Sequence, residues 1–284
     1  MRAFLLAAAV LASQPALAQV ANNWDAPRDS EAQPVADSGG KTKDWRPAAL
    51  NAAFAKQIER DLASRQARLA IVFRSGRPRA KLPEGIRYTH GAFWVYSEVK
   101  GADGKAYKGY AVHNLYQGDG KSLPITRSYL KQDFPIDFIS GAAEDDVAII
   151  IPTPEMQRRL MATIASPTYE TMHVADYSLV SSPFDPSRQN CTEFVLDVIA
   201  ASAWQTTSYA QVKANLKAHF QATPVRTGLF TRVFGPMVDP RLNLDDQKGE
   251  IETATYESIS AFMTKNRLSE TSYVLTRSDW HGKK

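Results

Sequence analysis

The sequence predicts an α+β protein with one sizeable core, and three observations support this class. Apolar β-type runs and amphipathic helical stretches follow one another without strict alternation, which favours α+β over a doubly wound α/β fold. Two of the β-type runs flank the turn segment Gly-Ala-Asp-Gly-Lys at 101–105, a pattern typical of a hairpin. The 284 residues are 44% hydrophobic, enough to bury a sizeable core. We therefore expect a small antiparallel sheet packed against helices.

The elements follow from periodicity and turn signals. Leu50, Phe54, Ile58 and Leu62 recur every four residues and predict a helix over 48–67. Further helices are predicted at 126–132, 154–165, 191–203, 209–220 and 256–265, and strands at 69–73, 87–99, 106–116, 147–151 and 273–276. Stretches rich in Gly, Pro or Ser at 74–85, 166–187 and 228–249 read as connections.

The N-terminus has the pattern of a secretory signal peptide. Arg2 precedes a short apolar run, and the Ala-Leu-Ala at 16–18 is a cleavage site, so cleavage is expected after Ala18. Residues 19–46 are rich in polar residues, Pro and Gly and predict a disordered leader. The remaining 47–284 read as one domain with a C-terminal extension from about 223. We expect a periplasmic or secreted protein.

Composition excludes several classes of function. The formal net charge is only +4, with basic and acidic residues interspersed, so nucleic acid is not an expected partner. No apolar run reaches the length of a transmembrane helix. His173 and Asp176 lack further clustered ligands, so no metal site is expected, and no motif calls for a cofactor. One cysteine cannot form an internal disulfide, and in an exported chain it is a candidate reactive thiol.

That cysteine, Cys191, begins the predicted helix at 191–203. Asn190 is a good N-cap, and Glu193 stands where a capping-box carboxylate would reach back. The positive end of the helix dipole favours a thiolate at Cys191, the placement that a nucleophilic cysteine needs. The alternative is a small buried core residue, because free cysteine is among the most buried residue types.

A nucleophilic thiol needs a base, and His90 is the candidate. It lies in a predicted strand and precedes Gly91, which suggests that another group approaches the backbone closely there. A third group would hold the imidazole. If Val99 pairs with Tyr107, that group is Asn114; if the register slips by one residue, it is His113. Asn114 and His113 both remain candidates for this third group. Gln189 is a candidate oxyanion donor, together with the backbone N–H of Cys191.

These residues resemble those of circularly permuted papain-like (NlpC-type) proteins, in which the histidine precedes the cysteine. The resemblance rests on Thr89-His90-Gly91-Ala92-Phe93, Val112-His113-Asn114-Leu115 and Asn190-Cys191-Thr192-Glu193-Phe194-Val195. The chain from 48 to 280 is also similar to an uncharacterised exported bacterial family, domain of unknown function 2145. Tyr88, His90-Gly91, Asn190-Cys191, Ser258-Ile259, Ala261-Phe262 and Asp279-Trp280 carry that similarity. It implies the permuted papain-like fold and the His90–Cys191 dyad, but no substrate.

The expected function is an exported cysteine hydrolase or acyl-transfer enzyme that acts on an amide or ester bond. Cys191 would attack the carbonyl, and His90 would act first as base and then as acid. The envelope location makes cell-wall peptides and lipids candidate substrates. The alternative is a non-catalytic envelope module for binding or structure, which would bury Cys191 or separate it from His90.

Overall fold

The structure is a computed structural model that describes residues 46–100, 103–226 and 241–278. The predicted signal peptide, the leader up to residue 45 and most of the predicted connection at 228–249 lie outside these ranges. The described residues all belong to one compact unit. Among them, no helix combines the length and apolar character needed to cross a membrane.

The described residues form seven helices and one main sheet. The helices are α1 (Ala48–Ser64), α2 (Pro135–Ser140), α3 (Pro154–Ile164), α4 (Thr168–Thr171), α5 (Cys191–Trp204), α6 (Tyr209–His219) and α7 (Tyr256–Lys265). The strands are β1 (Leu69–Arg74), β2 (His90–Lys100), β3 (Ala106–Gln117), β4 (Ser128–Asp133), β5 (Asp146–Pro152), β6 (Thr223–Pro224), β7 (Glu252–Thr253) and β8 (Ser269–Thr276). The predicted mixed α+β class is confirmed.

The main sheet has six antiparallel strands in the order β4-β3-β2-β1-β5-β8. β6 and β7 form a separate two-stranded pair. The C-terminal strand β8 pairs with β5, and Phe262 and Met263 of α7 are buried in the main core. Strand β8 is thus part of the main sheet, and helix α7 is part of the main core.

Helices cover both faces of this sheet because side chains alternate along each strand. On one face, here the α1 face, α1 and α2 pack on alternate strand residues such as Val72 and Trp94. The other face is here called the α5 face. There, helices α3, α5, α6 and α7 pack on the strand residues that alternate with those of the α1 face, such as Phe73 and Phe93. Alternate residues of β1, β2 and β3 therefore point into different cores, one on each face of the sheet.

Local sequence explains most of the elements. In α1, Phe54, Ile58 and Leu62 are fully buried, as their four-residue spacing predicts. Pro154 occupies the first turn of α3, and the Thr153 side chain caps that helix by accepting from the Met156 N–H. The strands predicted at 69–73 and 147–151 are confirmed within one residue at each end.

The prediction of a helix over 126–132 is wrong. Residues 128–133 form β4, an edge strand that pairs with β3 from Val112–Asp133 to Gln117–Ser128. A short run with mixed polarity does not reveal its type from periodicity, and pairing with β3 decides it. The sequence also missed α2, whose first turn holds Pro135.

Candidate functional site

Cys191 is the first residue of α5, as predicted. The Asn190 side chain caps the helix by accepting a 2.9 Å hydrogen bond from the Glu193 N–H. The helix is buried on all sides from Cys191 to Ser202, not only on the side that carries Phe194, Val195 and Ile199. The capping-box prediction for the Glu193 carboxylate is wrong, because that carboxylate pairs with Lys213 instead. The helix start thus rests on one side-chain cap, from Asn190.

The Cys191 thiol is a neutral, buried group. Its side chain is almost entirely buried, and Sγ donates to the Thr89 carbonyl at 3.3 Å. Burial raises the pKa of the thiol to about 11, although the backbone N–H groups of Gly91 and Thr192 and the charge of Arg74 act in the opposite direction. Desolvation therefore outweighs the helix N-terminus, and the thiolate predicted from the sequence is not the favoured form.

Cys191 is one of the residues that line a surface cleft. The cleft lies between the connection before β2, the segment before α5 and the strand β7. Its lining consists of Arg77, Leu82, Pro83, Ile86, Tyr88, Thr89, Tyr177, Leu179, Val180, Asn190, Cys191, Thr192, Thr253, Ala254 and Thr255. Apolar side chains with a few hydroxyl and amide groups are the usual lining of a small-molecule site.

The hairpin register fixes which polar side chain meets His90. Val99 pairs with Tyr107 and Phe93 with His113, so Asn114 falls on the same face of the sheet as His90. His90 Nε2 and Asn114 Oδ1 lie 3.2 Å apart, within hydrogen-bond distance. The pairing of β2 with β3 ends at Phe93–His113, and the His90–Asn114 bond lies just beyond that end.

The structure does not bring His90 to the thiol. Its ring stacks on Tyr116 at 5.2 Å and lies 5.5 Å from Phe138, both on the α1 face, whereas Cys191 belongs to the core of the α5 face. His90 Nδ1 has no hydrogen-bond partner among the described residues. Burial, and then the charge of Arg74, lower the pKa of His90 well below its ordinary value. The imidazole is therefore neutral.

The other candidate residues also have defined positions. His113 points to the α5 face, where its ring meets Tyr169 edge-on at 6.1 Å, and burial lowers its pKa to about 4. Gln189 is fully buried, and its Nε2 donates to Met172 O at 2.8 Å and to Asp197 Oδ2 at 2.7 Å. Both amide hydrogens of Gln189 are therefore used within the protein, and its predicted role as an oxyanion donor stays a prediction.

His173 and Asp176 are likewise engaged elsewhere. His173 Nε2 lies 2.9 Å from Ser128 Oγ, and Asp176 pairs with Arg127. In the part of the chain that the structure describes, no three His, Cys, Asp or Glu side chains cluster in a way that could hold a metal ion.

Sequence reasoning missed a buried charge cluster behind Cys191. Lys213 of α6 reaches Glu193 Oε1 at 2.6 Å and both carboxylate oxygens of Asp197 at 2.9 Å. All three side chains are at least 95% buried. Two carboxylates four residues apart in an otherwise apolar helix were the available signal, since buried charges need a partner.

Comparison with known proteins yields one match. A family model described as "Uncharacterized protein conserved in bacteria (DUF2145)" matches residues 61–263, a stretch that holds the whole cleft, His90, Asn114 and the charge cluster. No curated protein and no solved structure matches the chain. Because the match spans most of the sequence, the chain belongs to this uncharacterised bacterial family, DUF2145.

Proposed function

We propose that this protein is an exported, non-catalytic binding protein of the bacterial cell envelope, whose ligand occupies the cleft at the N-terminus of α5. The state of the thiol carries the proposal: Cys191 lines the cleft, its Sγ donates a hydrogen bond to the Thr89 carbonyl, and no imidazole of the described residues is bonded to it. A nucleophilic cysteine needs a lowered pKa or an adjacent base, and Cys191 has neither. Export follows from the signal-peptide pattern at 1–18.

The lining supports binding of a compact, largely apolar ligand. Leu82, Ile86 and Leu179 offer apolar contacts, while Thr253 and Thr255 add hydroxyl groups. The ligand would gain affinity from burial of apolar surface, and the few polar groups would orient it.

The test uses a named apolar probe, 8-anilinonaphthalene-1-sulfonate, titrated into the 15N-labelled mature protein. We expect saturable fluorescence and shifts of the amide signals at 190–192 and 253–255. Leu82→Asp places a charge in the cleft and should weaken binding at least tenfold. Leu50→Asp is the matched control, because Leu50 is 40% exposed on α1, and it should bind as the unmodified protein does. Amide shifts elsewhere, or equal binding by both variants, would overturn the proposal.

A second candidate is a thiol hydrolase or acyl-transfer enzyme on a circularly permuted papain-like fold. One observation favours it: Asn114 holds His90 through Nε2 and leaves Nδ1 unpartnered, at the point where β2 and β3 part. If the imidazole turned through that gap, Nδ1 could take the proton of Cys191. The thiolate would then attack an amide or ester carbonyl, and His90 would return the proton to the leaving group.

The two candidates differ in their response to an activated ester. The second predicts hydrolysis of p-nitrophenyl acetate that Cys191→Ala abolishes and His90→Ala reduces, while His219→Ala, on α6, has no effect. The first predicts no turnover above the Cys191→Ala background. Turnover that depends on both Cys191 and His90 would reject the binding-protein proposal in favour of the enzyme.

A further inference from the structure

The buried charge cluster behind Cys191 has more negative than positive charge. Glu193 and Asp197 share a single ammonium group, that of Lys213, which also donates to Pro183 O at 3.4 Å. Both carboxylates have no exposed surface. An uncompensated carboxylate in such surroundings is costly, so the stable state keeps one proton. Burial, despite the ammonium, raises the pKa of Glu193 to about 8.

Glu193 Oε2 and the Ser181 hydroxyl are both buried and interact with each other, away from Lys213. The Ser181 hydroxyl lowers the pKa of Glu193, but burial outweighs it. A proton on Glu193 Oε2 would let this oxygen donate to the serine hydroxyl. The other groups that face Glu193 are Asp197 on α5 and Lys213 and Tyr209 on α6, and Asp185 faces Tyr209 in turn.

The cluster is tied to the segment that forms one wall of the cleft. Asp197 Oδ2 accepts from Gln189 Nε2, and Gln189 Oε1 accepts from the Val174 N–H at 2.9 Å. Lys213 holds Pro183 of the same segment. Between these anchor points lie Tyr177, Leu179 and Val180, which line the cleft. The charge state of the cluster therefore acts on both ends of the wall.

We propose that Glu193, Asp197 and Lys213 form a proton-dependent anchor for the 172–190 segment. With one proton bound, the anchor holds the cleft wall against α5; when that proton passes to solvent, the excess charge loosens the wall and the cleft opens. The functional reading rests on the proposed role of the cleft as the binding site, whereas the anchor itself does not depend on a ligand.

Native-state hydrogen exchange followed by NMR tests the anchor without a ligand. The Val174 amide reports on the wall, since it donates to Gln189, and the Val72 amide in the centre of the sheet reports on global opening. After correction for intrinsic exchange, the opening constant at Val174 should rise towards tenfold per pH unit between about pH 5 and 8 and level off above pH 8, because opening releases a proton only while Glu193 is still protonated in the closed state. The opening constant at Val72 should share this slope, because global unfolding releases the same proton, but it should stay well below the constant at Val174 at every pH, because the wall opens locally.

Glu193→Gln keeps the shape of the protonated side chain and removes the titration, so the opening constant at Val174 should become independent of pH. Glu257→Gln is the matched control, a half-buried glutamate with a raised pKa outside the cluster, and it should behave as the unmodified protein does. A constant that does not change between pH 6 and 9 in the unmodified protein, or a Glu193→Gln variant that keeps the rise, would overturn the anchor. That failure is distinguishable from failure of the binding proposal, which the dye titration reports separately.

Discussion

The two faces of the central sheet carry different chemistry. The α1 face is an apolar core of α1, α2 and strand residues, and its notable polar contact near the site is the His90–Asn114 bond. The α5 face holds the thiol of Cys191, the cleft and the charge cluster around Lys213. One strand, β2, separates the two sets. Thr89 contacts the thiol through its carbonyl, while the next residue, His90, turns its ring to the other side.

A backbone contact between the His90 motif and Cys191 is not enough to form a catalytic dyad. The backbone at 89–91 touches Cys191, so the sequence motif and the thiol do meet. The imidazole nevertheless belongs to the opposite face, because side chains alternate along the strand. Substitutions in the α1 face should therefore change stability without changing the thiol or the cleft.

The largest expected effect concerns the α1 face. Phe138 is fully buried and lies against the rings of His90 and Trp94. Phe138→Ala should lower the free energy of unfolding by about 3–5 kcal/mol, because it leaves a cavity. Urea denaturation measures this loss. Under native conditions the alkylation rate of Cys191 should stay within twofold, and a large change in that rate would break the separation of the faces.

Glu193 and His90 should give the two faces opposite dependences on pH. The pKa of Glu193 is raised from 4.5 to about 8 in the folded state, so its stabilisation is present below pH 4.5 and is lost as the pH rises to 8. The loss is on the order of 2–4 kcal/mol, and Glu193→Gln should remove it. The pKa of His90 is lowered, so its contribution is lost as the pH falls below 6.5. Denaturation at pH 5, 7 and 9 gives the dependence of the free energy of unfolding on pH for the unmodified protein and for Glu193→Gln. The same dependence in both would contradict the raised pKa of Glu193.

Gly91 tests how closely the α5 face is packed at β2. A Cβ there would lie 2.8 Å from Phe73 Cε1 and 3.5 Å from Val195 Cγ2. Gly91→Ala should cost about 1–3 kcal/mol through overpacking. Gly109→Ala on β3 is the matched control, because its nearest neighbour would be 3.9 Å away. Thermal unfolding of the two variants makes the comparison, and equal melting temperatures would mean that the contact at Gly91 relaxes freely.

The smallest effect is expected at the helix cap. Asn190→Ala removes the acceptor for the Glu193 N–H and should cost about 1 kcal/mol. Ser208→Ala removes the equivalent cap of α6, the hydroxyl that accepts from the Gln211 N–H, and should lower the free energy of unfolding by a comparable amount. Denaturant midpoints give both values. Only Asn190→Ala should change Cys191 alkylation, and a matching change in Ser208→Ala would show that the effect is global.

The sequence predicts local structure well where one pattern dominates. The four-residue repeat of α1, the Asn190 cap and the hairpin around 101–105 all depend on neighbouring residues, and each is recovered. Gly91 also indicated a close approach, and the approaching group is the Phe73 ring of β1. These features could be predicted because their causes lie within a few residues or in simple strand alternation.

The rest depends on contacts that are distant in sequence. The choice of Asn114 over His113 needed the hairpin register, which periodicity leaves open by one residue. The raised pKa of Cys191 needed its burial, which a helix N-terminus alone does not reveal. Lys213 joined Glu193 only because α6 packs on α5. Residues 128–133 likewise form a strand because they pair with β3, which their own sequence does not reveal.

The state of the thiol is tested most directly by the pH dependence of Cys191 alkylation by iodoacetamide, in the mature protein and in His90→Ala. We expect slow labelling at neutral pH, a rise governed by a thiol pKa of about 11, and the same profile in both proteins. Fast labelling below neutral pH that His90→Ala slows would show a thiolate–imidazolium pair. That result would contradict a neutral thiol separated from the imidazole by the sheet.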